Sequence, residues 1–251
     1  MIGQHYPMSK KINRIAFATQ KGGAGKSTVA TMLASYLYFV RDHRVVLIDA
    51  DHPQHSINRV RNLEAQEVKQ DVALQQAFLR TGKEQVYPIT HSRMDHVFHR
   101  PAPDRPSIFE KASHPLIAAD TVIIDTPGSV AVSGLRAVLE NVDHIVVPLE
   151  PERMSLMSTV QFLGALQQLT ASDPARNRPV AFWNKIRPAS HREIMEAHTT
   201  EFERMGVRVL KNYLPYSVKM KRAETVSTIM PVDFRTLDVS PFMEELYTAI
   251  Q

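Results

Sequence analysis

Residues 20–28 read Gln-Lys-Gly-Gly-Ala-Gly-Lys-Ser-Thr, and no other stretch restricts the possible folds as strongly. The segment lies between an apolar run, Ile15-Ala16-Phe17-Ala18, and a helical pattern that begins near Lys26. Glycines at 22, 23 and 25 let main-chain N–H groups close around an anion without Cβ clashes. The helix that follows turns its positive N-terminus toward the same anion. With Ala24 completing the turn, Lys26 is placed to reach the outer phosphates of a nucleotide, the Ser27 hydroxyl to meet Mg²⁺, and Thr28 to continue the cradle. The strict pattern G-x-x-x-x-G-K-[ST] is not met, because position 20 is Gln; a second lysine, Lys21, opens the loop instead.

Periodicity along the rest of the chain predicts strands alternating with helices. Strands are expected at 13–19, 44–49, 94–99, 121–125, 144–148, 180–184 and 207–210. Helices are expected at 26–40, 54–66, 72–80, 107–119, 130–140, 154–169 and 192–205, the last closed by Gly206. A final helix runs through Ile250, with Ser240 as N-cap and Pro241 in its first turn. This alternation implies an α/β fold: a doubly wound, mostly parallel sheet with helices on both faces. Ligands of such sheets sit at the carboxyl ends of the strands, where Asp49 and Asp125 fall. Residues 1–12 read as a flexible lead and 13–251 as one domain.

Asp125 follows four apolar residues and precedes Thr126-Pro127-Gly128. With the glycine loop it fits an acid that holds Mg²⁺, while Gly128 would let a loop approach the last phosphate. Asp49 and Asp51, two apart on an extended segment, share a face; one suits the metal shell and the other the orientation of an attacking water. Lys21 is redundant beside Lys26 and is expected to project toward a neighbouring subunit's nucleotide.

The absence of cysteine excludes disulfides, thiol nucleophiles and thiolate-bound metals. No run of eighteen apolar residues is present, so no spanning helix is expected. Residues 176–222 carry eleven Lys/Arg against four Glu, a net of +7 within a chain of net +4. This suggests a surface for a polyanion. His91, His96 and His99 with Asp95 are set aside as a metal site, because strand alternation would not bring them to one face. Trp183 is read as packing or as a base-stacking ring. Met154, Leu156, Met157 and Met205 are read as packing residues.

Taken together, Lys21–Thr28, residues 46–54, Val122–Gly128, Asn184 and residues 214–224 resemble the deviant Walker A ATPases of the ParA/MinD family. The resemblance implies an ATP-sandwich homodimer with Mg²⁺. In it Lys21 would be the signature lysine acting across the interface, Asp51 the acid needed for hydrolysis, and Asn184 and Pro215 neighbours of the base. The basic run Lys219, Lys221 and Arg222 would contact DNA nonspecifically. It further implies a cytoplasmic, nucleoid-associated ATPase in segregation or conjugative transfer of a mobile element, stimulated by an unidentified ParB-like or conjugation partner. The family commonly reads D-x-D-P-Q where this chain has Asp49-Ala50-Asp51-His52-Pro53-Gln54, one residue longer. This variant looks similar to ParA-like TraA proteins of Bacteroides-type conjugative transposons. The last helix carries Glu244 and Glu245 but no Lys or Arg, so it lacks the basic face of a membrane-targeting helix. A non-hydrolysing nucleotide sensor and an ATP-dependent biosynthetic enzyme share the same motif.

Overall fold

The computed structural model describes residues 12–98, 118–129, 132–170, 178–218, 226–231 and 239–251. Seven strands form one all-parallel sheet: β1 Asn13–Phe17, β2 Val45–Asp49, β3 Ile89–His91, β4 Thr121–Asp125, β5 His144–Leu149, β6 Arg178–Trp183 and β7 Arg208–Val209. Their order across the sheet is β3-β2-β4-β1-β5-β6-β7. The central strands β1, β2, β4 and β5 are apolar runs because both of their faces are covered. Alternate residues serve opposite layers. Ile15, Phe17, Leu47, Ile123 and Phe182 pack with helix α1 (Lys26–Ser35) and helix α7 (Ser240–Ala249). Ala16, Val46, Ile124 and Val147 pack against helices α4 (Leu135–Asn141), α5 (Arg153–Thr170) and α6 (Pro188–Arg204).

The remaining helices are α2 (Ser56–Gln70) and α3 (Val72–Leu79). Asp71 separates them and caps α3, accepting from the amides of Ala73 and Leu74 at 2.7 and 3.2 Å. α1 ends earlier than its apolar spacing suggests and continues as a single π-helical turn, Tyr36–Val40. Tyr36 there donates to Glu244 of α7, fixing the two helices together.

Three expectations need correction. Residues 94–96 form a 3₁₀ turn, not a strand; the strand on that side is β3, just upstream. Ser240 is the first helical residue of α7, with Val239 at the cap and no side-chain cap bond. Met154 and Met157 are 73% and 54% exposed, so they do not pack in the core. The packing reading of Trp183 holds: it is buried and donates its indole N–H to Thr199 at 2.9 Å, which leaves it no face for a base. Gly206 does close α6, at φ 76°. Residues 1–11, most of the expected 107–119 helix, His99 and the basic run at 219–222 lie outside the described residues.

The segment 226–231 is tied across α2 by Arg61. Its guanidinium donates to the Thr228 hydroxyl at 2.9 Å, the Thr228 carbonyl at 2.6 Å and the Tyr87 carbonyl at 3.0 Å. It also lies 4.9 Å from the Tyr87 ring centroid. Glu64, one turn along α2, accepts from the Thr228 amide at 2.9 Å. Truncating such a partly buried ion strands several acceptors at once. Arg61→Ala is therefore expected to cost about 2–4 kcal/mol of stability, read as a lowered urea midpoint at unchanged slope.

Candidate nucleotide site at the carboxyl edge of the sheet

The strand ends converge as the sequence predicts. β4 is in register with both neighbours, pairing Asp125 with Phe17 on one side and with Asp49 on the other. The glycine loop leaves β1 and feeds α1, with Gly23 at φ 74° and Gly25 at φ 96°. The second of these is fixed by more than its dihedral: a Cβ on Gly25 would lie 2.4 Å from the Asn184 amide nitrogen. Asn184 follows β6 and donates to the Ala24 carbonyl at 2.8 Å, so a late strand grips the loop from behind. Gly128 closes in from the other side, where a Cβ would meet the Gly22 backbone at 2.8 Å.

A cavity of about 650 Å³ opens over the loop, lined by Gly22, Gly23, Gly25, Lys26, Ser27 and Thr28, by Asp51 and His52, and by Pro127 and Gly128. A second of about 410 Å³ adjoins it through Gly23, Gly25 and Thr28 and is lined by Asn184, Lys185, Pro215, Tyr216 and Ser217. The Arg187 guanidinium stacks 4.4 Å from the Tyr216 ring centroid, bracing that wall.

The charges are unevenly matched. Lys26 is buried, and burial lowers the pKa of its ammonium against the opposing pull of Asp125 and Asp51. Asp125 is wholly buried, which pushes its carboxyl up to about 7, although Ser27 and Lys26 draw it down. Among the described residues neither Asp125 oxygen meets a donor in good hydrogen-bond geometry, although the Ser27 hydroxyl faces the carboxyl. Asp51 is half-buried, and burial raises its pKa despite the nearby Lys26. Asp49 is also fully buried but has a structural partner. Its Oδ2 accepts from the amides of Ile57 and Asn58 at 3.0 and 3.1 Å, so β2 caps the start of α2.

Lys21 is engaged within its own chain. Its ammonium donates to Glu150 at 2.6 Å, Glu152 at 3.0 Å and the Ser155 hydroxyl at 2.5 Å. Burial works against the charged form, but the hydrogen bonds that Lys21 donates to Glu150 and Glu152 outweigh it and raise its pKa. Lys185 grips the second Glu150 oxygen and also donates to the Gly23 carbonyl at 2.7 Å. Burial alone would raise the Glu150 pKa; the bonds from Lys185 and Lys21 prevail and lower it. Glu150, Glu152, Ser155, Lys185 and His55 escape the sequence reading. Glu150 and Lys185 had a usable signal, since they follow the carboxyl ends of β5 and β6 just as Asp125 ends β4.

The profile of the CobQ/CobB/MinD/ParA nucleotide binding domain matches residues 15–228. The chain belongs to this family. An uncharacterized ATP-binding protein of Methanocaldococcus jannaschii is 28% identical over 160 residues, 62% of this chain and 59% of the relative, so the match spans little over half of that protein. Maintenance of carboxysome distribution protein A of Halothiobacillus neapolitanus is 25% identical over 80% of this chain and 79% of its own. Among solved structures, a plasmid partition protein of Borrelia burgdorferi B31 bound to AMPPNP superposes with a TM-score of 0.64 at 16% identity, covering 95% of this chain and 99% of its own. The ParA of pNOB8 bound to nonspecific DNA gives 0.56 at 18% identity, covering 96% and 97%. Identities this low establish the shared fold. The ParA/MinD family resemblance is thereby confirmed; the narrower likeness to transposon TraA proteins is not.

The unpartnered Asp125 carboxylate yields a direct test. Its folded pKa, about 7, lies above its ordinary value of 3.8. The folded chain therefore holds the proton more tightly, and stability falls as pH rises toward 7, then levels. Asp125→Asn is expected to stabilise the nucleotide-free chain at pH 8 by about 1–3 kcal/mol, read as a raised melting temperature. The advantage should shrink as pH is lowered through 7, where the native carboxyl is itself neutral.

Proposed function

We propose that this protein is a Mg²⁺-dependent ATPase that dimerises around ATP, binds DNA nonspecifically as the dimer, and serves segregation or conjugative transfer of a mobile element. The supporting observation is the pair of adjoining cavities, one over a glycine loop with a buried lysine and the other walled by Asn184, Pro215 and Tyr216. Main-chain amides 22–28 and Lys26 take the triphosphate. Asn184 and Pro215 flank the base. Asp51 orients the attacking water.

The donor set fits a hydrated magnesium ion: Asp125 offers two unpartnered oxygens and Ser27 a hydroxyl facing them, all hard oxygen ligands. Ser27 and Asp125 would hold it, and Asp49 would support their surroundings from the neighbouring strand. Bound there, the ion supplies charge neutralisation for the phosphates.

Lys21 is the group that couples nucleotide to dimer. In the described chain Glu150, Glu152 and Ser155 hold it in cis. In the dimer it exchanges those partners for the nucleotide of the second copy, where a cation stabilises charge developing on the transferred phosphoryl group. Arg187, Arg192, Arg204, Arg208 and Lys211 are exposed and supply cations for a polyanion. A partition protein and a ParA complexed with DNA among the structural neighbours agree with this reading.

ATP turnover measured with and without DNA across a salt series tests it. DNA should stimulate hydrolysis, and stimulation should fade steeply as salt rises. Lys21→Ala should keep ATP binding but lose ATP-dependent dimerisation and the stimulated rate, by roughly 10³-fold. Turnover indifferent to DNA, or dependent on a small metabolite, contradicts the proposal, and so does an unaltered Lys21 variant.

A further inference from the structure

We infer that His52 accepts the proton of the water that attacks the terminal phosphate, and that Asp49 and His55 hold it in the tautomer that can do so. This deepens the ATPase reading and rests on it.

Three groups form a line from the sheet edge into the phosphate cavity. Asp49, fully buried at the end of β2, spends Oδ2 on the α2 amides and, among the described residues, leaves Oδ1 without a hydrogen-bond partner. Facing that oxygen at 3.7 Å is His55 Nδ1, a buried nitrogen that also has no hydrogen-bond partner among the described residues. The opposite nitrogen of the same ring, Nε2, lies 3.2 Å from His52 Nδ1. His52 in turn lines the cavity that contains Lys26, Ser27, Asp51 and Gly128. The His55 ring is braced on its far side by His91, at 5.3 Å between centroids in an edge-to-face contact. His55 occupies the left-handed region, φ 41°, where only the surrounding turn can hold it; its amide donates to the Asp51 carbonyl at 2.8 Å.

The proton positions follow from the fixed end of the line. A fixed carboxylate facing Nδ1 selects the tautomer of His55 with its proton on that nitrogen. Nε2 of His55 is then a bare acceptor, so the bond at 3.2 Å must be donated by His52 Nδ1–H. A neutral His52 with its proton on Nδ1 carries its free lone pair on Nε2. That is the arrangement of a general base, assembled from an acid and two imidazoles. In the step, the water oxygen bonds to the γ-phosphorus while the bond from that phosphorus to the bridging oxygen breaks, its electron pair leaving with ADP. The water proton passes to His52 Nε2, and phosphate is released. Asp51, on the same wall, holds the water's other hydrogen.

The extra residue in the loop is thus functional. Asp51-His52-Pro53-Gln54-His55 places one histidine over the cavity and another behind it, where a shorter D-x-D-P-Q loop has no position for the first.

Steady-state hydrolysis and calorimetric AMPPNP binding on four variants test the inference. His52→Leu should lower kcat by roughly 10²-fold while analogue affinity stays within about threefold, since the residue is exposed and outside the cradle. His52→Asn keeps an amide where Nδ1 bonds His55 but presents nothing at the Nε2 position. It should be as slow as Leu; recovery to the wild-type rate would mean His52 merely braces the loop and would overturn the proposal. His55→Leu should slow kcat less than His52→Leu, and combining the two should cost no more than His52→Leu alone. Independent, multiplying losses would also overturn it. Wild-type turnover with an unimpaired His52→Leu defeats this inference alone, whereas a wild-type chain that binds AMPPNP and never hydrolyses ATP defeats the ATPase reading and this one together.

Discussion

Two buried carboxylates stand side by side at the end of adjacent parallel strands, Asp49 opposite Asp125, with one buried ammonium, Lys26, to answer them. Nearly every feature of the site derives from this imbalance. Asp49 resolves its share by becoming a cap: two amides of α2 take one oxygen, and the helix is thereby fixed to the sheet. Asp125 has no such outlet. It stays buried and without a hydrogen bond, its carboxyl pushed up to about 7. A group left in that condition in a well-packed sheet marks a place where charge from outside is accommodated.

The opposite side of the glycine loop carries the complementary arrangement. Glu150 sits between Lys21 and Lys185, and Lys185 also holds the loop through the Gly23 carbonyl. The loop is therefore pre-shaped on three sides, by Asn184 behind it, Gly128 beside it and this ion cluster at its start. Such preorganisation keeps main-chain amides converged on one point without a ligand to gather them. Because the Lys21 ammonium is already satisfied, any use of it elsewhere requires an exchange of partners of similar charge, which suits a reversible switch. The exposed Met154 and Met157 lie on the same helix as Ser155, so the helix that carries part of this cluster also presents apolar side chains to solvent.

The fold was largely readable because β1, β2, β4 and β5 are buried on both faces and so appear as unbroken apolar runs. β3 was missed for the converse reason: three residues, Ile89–His91, following Pro88, at the sheet's margin, give no period to detect. Met154 and Met157 are interspersed in sequence with buried Leu156 and Phe162, and hydrophobicity alone could not separate a core face from an uncovered one. In the site, residues within contiguous motifs were legible: the loop, Asp49, Asp51 and Asp125. Glu150, Lys185 and His55 were not, because their partners are distant in sequence or, for His55, depend on a left-handed turn that no composition announces. The same strand-end rule that singled out Asp125 would have reached Glu150.

The central claim is that the Asp125 carboxylate and the glycine loop together receive a metal-bound triphosphate. The most direct measurement is calorimetric titration of the wild-type chain with AMPPNP, first in magnesium and then in excess chelator. Affinity at least about tenfold tighter with magnesium is expected, from charge neutralisation at a buried carboxylate. Equal affinity in both, or no binding in either, would contradict it.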